Sequence, residues 1–269
     1  MSSAAKTLDL LSHFSETRPE IGLSQLCRLA GRDKATTYRH VQALEAAGFV
    51  EQNPASRAYR LGPALLQLAQ LRERTVPRKA GVEQPLKDLA AVSGETVHAT
   101  ILSGTVLYAL AQVESVRHSA RVLIDVQTFP FHATASGICA LAFGPPDLMD
   151  HAVRNLTRFT SETVIDADAL ALEAAAAQKL GFAHSSGGYE RDVHSVAAPV
   201  FDQTAQFAGT VTVAGVAARM TEPLIDAIHA QLAEASREIS RNWGGRVPPE
   251  IEAAWTDTLA GTQALEPAQ

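Results

Sequence analysis

The chain has 269 residues, of which 46% are hydrophobic, so it is long enough to fold into two domains with buried cores. Its two cysteines, Cys27 and Cys139, are too few for a disulfide framework or for a zinc site built from thiolates. The sequence opens without a secretory signal pattern, and no apolar run reaches the roughly 18 residues of a membrane-spanning helix. We therefore expect a soluble protein of the cytoplasm.

Charge is distributed unevenly along the chain. Residues 1–75 contain 10 lysines and arginines against 7 acidic residues, a balance of +3, whereas residues 76–269 contain 13 against 22, a balance of -9. The two balances sum to the net charge of -6 of the whole chain. A mildly basic segment followed by a larger acidic one is typical of a part that contacts nucleic acid joined to a part that does not.

The N-terminal part shows the pattern of short helices followed by a hairpin. Apolar residues recur at helical spacing in three segments: 6–17, 23–30 and 34–47. Gly31-Arg32-Asp33 makes a tight break between the second and third helices, an arrangement typical of a helix-turn-helix. Residues 49–52 and 57–61 then alternate like strands around a turn, which predicts a hairpin, the wing. We assign residues 1–62 to a winged helix-turn-helix domain that binds DNA.

The remainder of the chain mixes helices with strands. Residues 63–77 keep helical periodicity, which predicts a connecting helix, and residues 78–246 are expected to form a mixed α/β domain. Helices are expected at 78–92, 134–143 and 168–180, and from Thr221 onward. Strands are expected at 95–102, 105–113, 120–124, 182–185, 195–200 and 206–214. Residues 247–269 are mostly polar and follow a stretch rich in glycine and proline, which predicts a flexible tail.

Seven short motifs occur along the chain in a specific order and spacing. Those of the N-terminal domain are LDLLSHF at 8–14, KATTYR at 34–39, LEAAGFV at 44–50 and YRLG at 59–62. Those of the larger domain are FHATASG at 131–137, GFA at 181–183 and AAPV at 197–200. Together, over about residues 5–245, they resemble the IclR (isocitrate-lyase-regulator) family of transcriptional regulators.

The resemblance implies a fold, a function and a set of partners. The implied fold is α/β, with the N-terminal winged helix-turn-helix joined by the connecting helix to a mixed α/β effector-binding domain similar to GAF and PAS sensor folds. Members of the family bind palindromic double-stranded DNA operators as homodimers or dimers of dimers, and repressors are commoner than activators. A small-molecule effector, a carboxylate or related carbonyl compound, would control the DNA affinity. The resemblance implies neither a cofactor nor a metal.

The helix predicted at 34–47 is the expected recognition helix. Such a helix presents polar and cationic side chains near its N-terminus to base edges and phosphates. Five residues are expected on its exposed face: Lys34, Thr36, Thr37, Arg39 and His40. Arg39 could contact a guanine or a phosphate, Arg57 in the wing is expected to reach the minor groove, and Arg60 is a weaker candidate. Tyr38 is expected to be half-buried, and the alternative for the whole set is an ordinary solvated helix face.

The segment 131–137 leads from a proline turn into a helix. Free N–H groups and the helix dipole make such a place suitable for an anion, and small residues allow a carboxylate to approach the backbone. We therefore expect Ala135, Ser136 and Gly137 to bind the acidic group of an effector, the alternative being that they serve helix packing. His132 is a further candidate for the effector site, its alternative being a structural histidine bonded to backbone at the turn.

The resemblance adds four positions to the effector site: Ser185, Ser195, Thr212 and Ala214. Family members that bind small carboxylates have an acidic residue, a cysteine and two serines there, so this chain departs at all four positions. Val193 flanks the same strand as Ser195 and is included with them. The loss of strong polar groups favours an aromatic or otherwise larger acid, amide or hydrazide over a small polar acid such as glyoxylate.

Other functions stay open at this point. A hydrolase or transferase built on the GAF-like body would need a base within reach of Ser195 or Ser136, and no Gly-x-Ser-x-Gly motif supports it. His194 is next to Ser195, but neighbours on a strand point to opposite faces. A third possibility is an interaction module that keeps the winged fold without binding DNA. Four histidines lack the short spacing of a metal site: His98, His132, His184 and His194.

Overall fold

The computed structural model of the protein describes residues 2–15, 17–75 and 78–263. The chain divides into two compact units, residues 1–77 and 78–269, so the predicted connecting helix groups with the first unit. Each unit has a hydrophobic core of its own. Among the helices described, none combines the length and the apolar character that crossing a membrane requires.

The first unit is built from short helices and a small antiparallel sheet. Its helices are α1 (Ser3–Asp9), α2 (Leu23–Ala30), α3 (Lys34–Ala46) and α4 (Pro63–Thr75). Its strands are β1 (Glu20–Ile21), β2 (Val50–Gln52) and β3 (Tyr59–Leu61), which pair in the order β1-β3-β2. The apolar positions of these elements converge on one core: Leu10, Ile21, Leu26, Val41, Leu44, Val50 and Tyr59.

Two residues shape the turn between α2 and α3. Gly31 has a φ of +62° and ends α2 in the left-handed conformation, which glycine adopts without a Cβ clash. Asp33 is the N-cap of α3, where its carboxylate accepts a hydrogen bond from the amide of Thr36. That hydrogen bond also lowers the pKa of Asp33. The predicted helix-turn-helix is therefore present, with its turn at the predicted break between α2 and α3.

The second unit is a five-stranded antiparallel sheet with helices on both faces. Its strands are β4 (Thr96–Ser103), β5 (Val106–Val113), β6 (Ala183–Ser186), β7 (Val193–Phe201) and β8 (Phe207–Val216), in the order β5-β4-β8-β7-β6. Its helices are α5 (Ala80–Ser93), α6 (Ala135–Phe143), α7 (Asp147–Arg154), α8 (Ala167–Leu180), α9 (Glu222–Asn242) and α10 (Pro249–Gln263). The predicted α/β class is confirmed.

The two faces of this sheet differ in chemistry, because successive residues of a strand point to opposite sides. One face is apolar and packs against α5 and α9 through buried residues that include Val97, Val196 and Val213. The other face is covered by α6 and α8 and carries a polar patch. The register places its members opposite one another, with His98 beside Thr212 and Thr100 beside Thr210.

The prediction of a strand at residues 120–124 is wrong. Residues 114–126 form no strand, although the hydroxyl of Thr96 donates a 2.7 Å hydrogen bond to the carbonyl oxygen of Val122. Val122 is buried while Leu123 is exposed. This segment lies over the polar face of the sheet with one side toward the protein. Its residues are therefore buried and exposed in alternation, and this produced the strand-like pattern in the sequence.

The prediction of a flexible tail at residues 247–269 is also wrong for most of that segment. Residues 249–263 form α10, whose Trp255 is 0% exposed. The indole Nε1 of Trp255 donates a 2.8 Å hydrogen bond to the carbonyl oxygen of Gly181, and its ring stacks on Phe182 at 5.8 Å between centroids. Trp255, together with the buried Ile251, therefore attaches a largely polar helix to the core. Residues 264–269 lie outside the described part of the chain.

Candidate functional site

The exposed face of α3 is the surface that the first unit offers to DNA. Its exposed members are Lys34, Ala35, Tyr38, Arg39 and Gln42, and Thr36 is partly exposed. Residues 34, 38 and 42 are spaced by four and therefore form one stripe along the helix. Within the described residues of this unit, the ion pairs join Arg32 to Asp9 and Arg60 to Glu20 and Glu51. The cationic groups of Lys34 and Arg39 thus stay available for phosphates and base edges.

The structure corrects the prediction for two residues of the recognition helix. Thr37 is 0% exposed, and its hydroxyl donates a 2.9 Å hydrogen bond to the carbonyl oxygen of Asp33. His40 is 4% exposed, and its Nδ1 lies 2.7 Å from the hydroxyl of Thr7 on α1. Burial lowers the pKa of His40, and nearby cations add to the effect, so its imidazole is neutral. These two side chains hold α3 in place and do not face DNA.

Tyr38 was expected to be half-buried and is instead exposed. Its hydroxyl accepts a 2.9 Å hydrogen bond from the side-chain amide of Gln42. Tyr38 and Gln42 therefore extend the polar stripe that begins at Lys34, and both are additions to the DNA-facing set predicted from the sequence. The spacing of 34, 38 and 42 was the signal that could have identified them.

The wing connects β2 to β3 and carries Arg57. This residue is exposed and adopts a φ of +59°, and its backbone is fixed by hydrogen bonds to Asn53 and from the side chain of Gln52. Arg60, the weaker candidate, donates a 2.6 Å hydrogen bond to the carboxylate of Glu51. Arg57 is therefore the wing cation better placed to reach a groove, because the charge of Arg60 already has a partner.

A cavity in the second unit lies on the polar face of the sheet, beside the first turn of α6. Its empty space, including the open mouth, is about 570 Å3. Seven of the residues predicted for the effector site line it: Ala135, Ser136, Ser185, Val193, Ser195, Thr212 and Ala214. These residues come from α6 and from three different strands, so the fold brings together positions that are far apart in the sequence.

The start of α6 supplies two backbone donors to this cavity. Thr134 is the N-cap, and its hydroxyl accepts a 2.9 Å hydrogen bond from the amide of Gly137. The amides of Ala135 and Ser136 have no acceptor in the described part of the chain. Free N–H groups at the positive end of a helix dipole favour an anionic or carbonyl oxygen.

A chain of hydrogen-bonded side chains forms the floor of the cavity. The Nε2 atom of His98 lies 3.1 Å from the hydroxyl of Ser136, which lies 2.8 Å from the hydroxyl of Thr212. Thr210 is 3.3 Å from Thr212, and Thr100 is 2.7 Å from Thr210. Burial lowers the pKa of His98 to about 3, so its imidazole is neutral and carries one N–H.

Two predicted site residues do not line the cavity. Gly137 faces the backbone of Pro130 and Phe131, where a Cβ atom would have no room, so its smallness serves packing. The Nε2 atom of His132 lies 2.8 Å from the carbonyl oxygen of Thr157 and 3.1 Å from its amide nitrogen. His132 thus occupies the structural position that the sequence analysis gave as its alternative.

Several residues of the cavity wall lie outside the set predicted from the sequence. His98 was considered only as a metal ligand, and within the described chain no group of residues could hold a metal ion. The remaining additions are Val122, Leu123, Ile124, Asp125, Val126, Phe129, Pro130, Ala133, Thr134, Gly188, Tyr189 and Glu190. Three of them, Val122, Leu123 and Ile124, belong to the segment mistaken for a strand. The position of His98 two residues after Thr96 on a polar strand face was the available signal.

The first unit is a helix-turn-helix with available cations on α3, and the second is an α/β unit whose cavity has a polar floor. Together these features define a class of DNA-binding proteins that respond to small molecules. Two family profiles match the chain and agree with this class. The IclR helix-turn-helix domain matches residues 3–54, and the bacterial transcriptional regulator IclR C-terminal domain matches residues 74–241. The chain belongs to the IclR family of bacterial transcriptional regulators, and the resemblance seen in its motifs is confirmed.

Individual relatives support the assignment along nearly the whole chain. The HTH-type transcriptional regulator XynR of Escherichia coli is 24% identical, with 90% of this chain and 97% of that protein covered. An IclR transcriptional regulator from Silicibacter sp. TM1040 is 39% identical, with a TM-score of 0.85 and 93% and 99% of the two chains covered. An IclR homolog from Microbacterium hydrocarbonoxydans, solved with 4-hydroxybenzoate, is 20% identical, with a TM-score of 0.68 and 90% and 99% covered.

Proposed function

We propose that this protein is a sequence-specific DNA-binding regulator whose operator affinity is controlled by a small organic acid or related carbonyl compound bound in the cavity. The observation that carries the proposal is the exposed stripe of α3. Lys34 and Arg39 stand there without ion-pair partners in the described residues, next to the polar side chains of Tyr38 and Gln42. An arginine can bond a guanine through two donors, and a lysine can neutralise a phosphate.

A mobility-shift assay with full-length protein tests this function directly. The DNA is the region upstream of the protein's own gene, with a shuffled sequence of equal length as the control. We expect a shift with the upstream DNA at protein concentrations that leave the shuffled DNA free. Equal binding to both DNAs would contradict sequence-specific recognition, and no binding to either would favour an interaction module that keeps only the winged fold.

The protein is proposed to act as a homodimer or a dimer of dimers in the cytoplasm. A palindromic operator requires two symmetry-related recognition helices, because the symmetry of the site mirrors that of the protein. Repression is proposed as its mode of action, as in the transcriptional repressor IclR of Escherichia coli, which is 24% identical to this chain. Reporter expression in cells with and without the gene would decide between repression and activation.

The cavity is the proposed effector site. The amides of Ala135 and Ser136 supply donors, and the cavity wall supplies apolar surface from Val122, Phe129 and Val193. The Microbacterium homolog that was solved with 4-hydroxybenzoate supports an aromatic acid as the class of ligand. A ligand that binds only the folded state raises the melting temperature, so a thermal-shift screen of aromatic and aliphatic carboxylates would find effectors.

Hydrolysis is the alternative function, and one distance favours it. The Nε2 atom of His98 lies 3.1 Å from the hydroxyl of Ser136, as a general base and its nucleophile would. However, a histidine with a pKa of about 3 is a weak base at neutral pH. Its other ring nitrogen also has no partner in the described chain that would orient it. Release of 4-nitrophenol from 4-nitrophenyl acetate that is lost in His98→Phe would support the hydrolase.

A further inference from the structure

The donor and the acceptor of each hydrogen bond on the cavity floor can be assigned by starting from Thr100, which is at the opposite end of the hydrogen-bonded series from His98. The hydroxyl of Thr100 accepts a 3.1 Å hydrogen bond from the amide of Thr210. Within the described residues, the hydroxyl oxygen of Thr210 is the one acceptor within reach of the Thr100 proton. Thr100 is 0% exposed, so water cannot replace that acceptor. Thr100 therefore donates to Thr210.

The remaining hydroxyl protons follow from this first one. Thr210 then donates to Thr212, Thr212 donates to Ser136, and Ser136 donates to the Nε2 atom of His98. The opposite direction would leave the Thr100 proton without an acceptor, and an unsatisfied buried donor is costly. In the favoured direction the neutral imidazole accepts at Nε2, so its single proton must be on Nδ1.

The Nδ1 atom of His98 is buried and has no hydrogen-bond partner in the described chain. His98 lines the cavity, and its ring is held in place by stacking on Phe129, with 4.7 Å between centroids. An unsatisfied buried donor beside a cavity is costly, and an acceptor that a ligand brings would relieve that cost. The free amides of Ala135 and Ser136 are donors in the same cavity.

The mouth of the cavity carries negatively charged acceptors, in contrast to the donors of His98 and of the start of α6. Asp125 and Glu190 line the cavity and are exposed, and they are the charged residues among its described lining. Their charges contribute to a raised pKa of Tyr189, although burial of its hydroxyl is the larger cause. A second carboxylate on a ligand would be repelled by the carboxylates of Asp125 and Glu190, whereas a hydroxyl or amine could donate hydrogen bonds to them.

We propose that the Nδ1–H of His98 and the amides at the start of α6 bind one carboxylate or amide carbonyl of the effector, while Asp125 and Glu190 select a hydrogen-bond donor at its other end. The effector is then a monoacid or amide with an apolar middle and a distal hydroxyl or amine, and dicarboxylates are rejected. This inference rests on the proposed function, because it assumes that the cavity is the effector site.

The first test determines the tautomer of His98 and is made without a ligand. Nitrogen-15-labelled histidine in the full-length protein allows long-range nitrogen–proton correlation spectra to report which ring nitrogen carries the proton. The His98 signals are assigned by their absence from the spectrum of His98→Phe. We expect Nδ1–H in the free protein, and an Nε2–H tautomer would overturn the direction of the chain.

Ligand preference is the second test, measured by titration calorimetry on the full-length protein. The probes are 4-hydroxybenzoate, 4-hydroxybenzamide and the dicarboxylate terephthalate. We expect the first two to bind and terephthalate to bind at least about tenfold more weakly, with the difference reduced in the double variant Asp125→Asn, Glu190→Gln. Equal affinity for terephthalate, or failure of both 4-hydroxy compounds to bind, would overturn the inference.

A matched pair of histidine variants assigns the contact. His98→Phe keeps a ring that can stack on Phe129 but removes the donor, so 4-hydroxybenzoate should bind about tenfold more weakly. His194→Phe makes the same change on the opposite face of the sheet and should leave the affinity unchanged. Equal effects of both variants would contradict a specific contact. Specific DNA binding in the mobility-shift assay together with the wrong ligand preference would overturn this inference and leave the proposed function standing.

Discussion

The Nε2 atoms of His184 and His229 lie 3.0 Å apart, so one imidazole donates a hydrogen bond to the other and both are neutral. His184 is on β6 and His229 on α9, which places the pair on the apolar side of the sheet. Burial lowers the pKa of each to about 4, and mutual repulsion contributes to the value for His184. The pair is a structural contact that depends on both rings staying unprotonated.

This pair predicts that the second unit loses stability in mild acid. Because both folded-state pKa values lie below the unfolded value of about 6.5, the unfolded chain binds more protons below that pH. The stabilisation is complete above about pH 6.5 and falls as the pH falls toward 4, by about 2 kcal/mol for each histidine between pH 7 and pH 5. Urea unfolding at several pH values measures it. A variant His229→Phe should flatten the dependence, and an unchanged slope would contradict the assignment.

Arg39 is expected to be the main DNA contact of α3. Its replacement by alanine should cost about 1–3 kcal/mol of operator affinity, because a paired arginine–guanine contact is lost. Fluorescence anisotropy with labelled upstream DNA measures the loss. Arg60→Ala is the matched control, since Arg60 is bonded to Glu51, and it should change the affinity by much less. Wild-type affinity of the Arg39 variant would show that α3 does not read the bases.

The first unit exposes apolar side chains that predict self-association. Leu8 on α1 and Leu68 and Leu71 on α4 are each more than half exposed, at 57%, 53% and 55%. Leu68 and Leu71 are three residues apart and so lie on one side of α4, and adjacent exposed apolar side chains are typical of an interaction surface. Light scattering should show a dimer or larger assembly for the wild type and a smaller species for Leu68→Glu. Leu172→Glu, at an exposed position on α8, should leave the mass unchanged, and a monomeric wild type at micromolar concentration would refute the assembly.

Ser136 is expected to be essential for the effector response. It is 1% exposed and lies between His98 and Thr212, so a phenylalanine there would fill the cavity beside the start of α6. Removing the ligand contact removes the switch, because an effector acts only through different affinities for two states. Ser136→Phe should therefore bind the operator normally and ignore the effector in a mobility-shift assay.

A control variant separates this loss from misfolding. Ser136→Ala keeps the cavity open, so it should still respond to effector, with an affinity lowered by the missing hydrogen bond to His98. The melting temperatures of both variants without ligand report their folding. If Ser136→Phe is folded and responds to effector at the wild-type midpoint, the effector site lies outside this cavity.

Much of the fold could be predicted because it depends on local pattern. The helix-turn-helix follows from apolar spacing and from the tight break at Gly31-Arg32-Asp33, which the structure places between α2 and α3. The strands β4, β7 and β8 follow from alternation, and the start of α6 follows from small residues after a proline turn. These signals lie within a few residues of the element that they specify, so the sequence by itself determined the fold class, the family and seven residues of the cavity.

The rest depended on contacts between distant parts of the chain. Thr37 and His40 are polar, yet both are buried in the packed unit, where His40 contacts Thr7 of α1. Trp255 makes α10 part of the unit through a bond to Gly181, 74 residues away. His98 meets Ser136 across 38 residues because the register of β4 against β8 places it on the covered polar face. Strand register and helix rotation follow from the burial of the whole core, so only the tertiary structure decided which polar residues line the site.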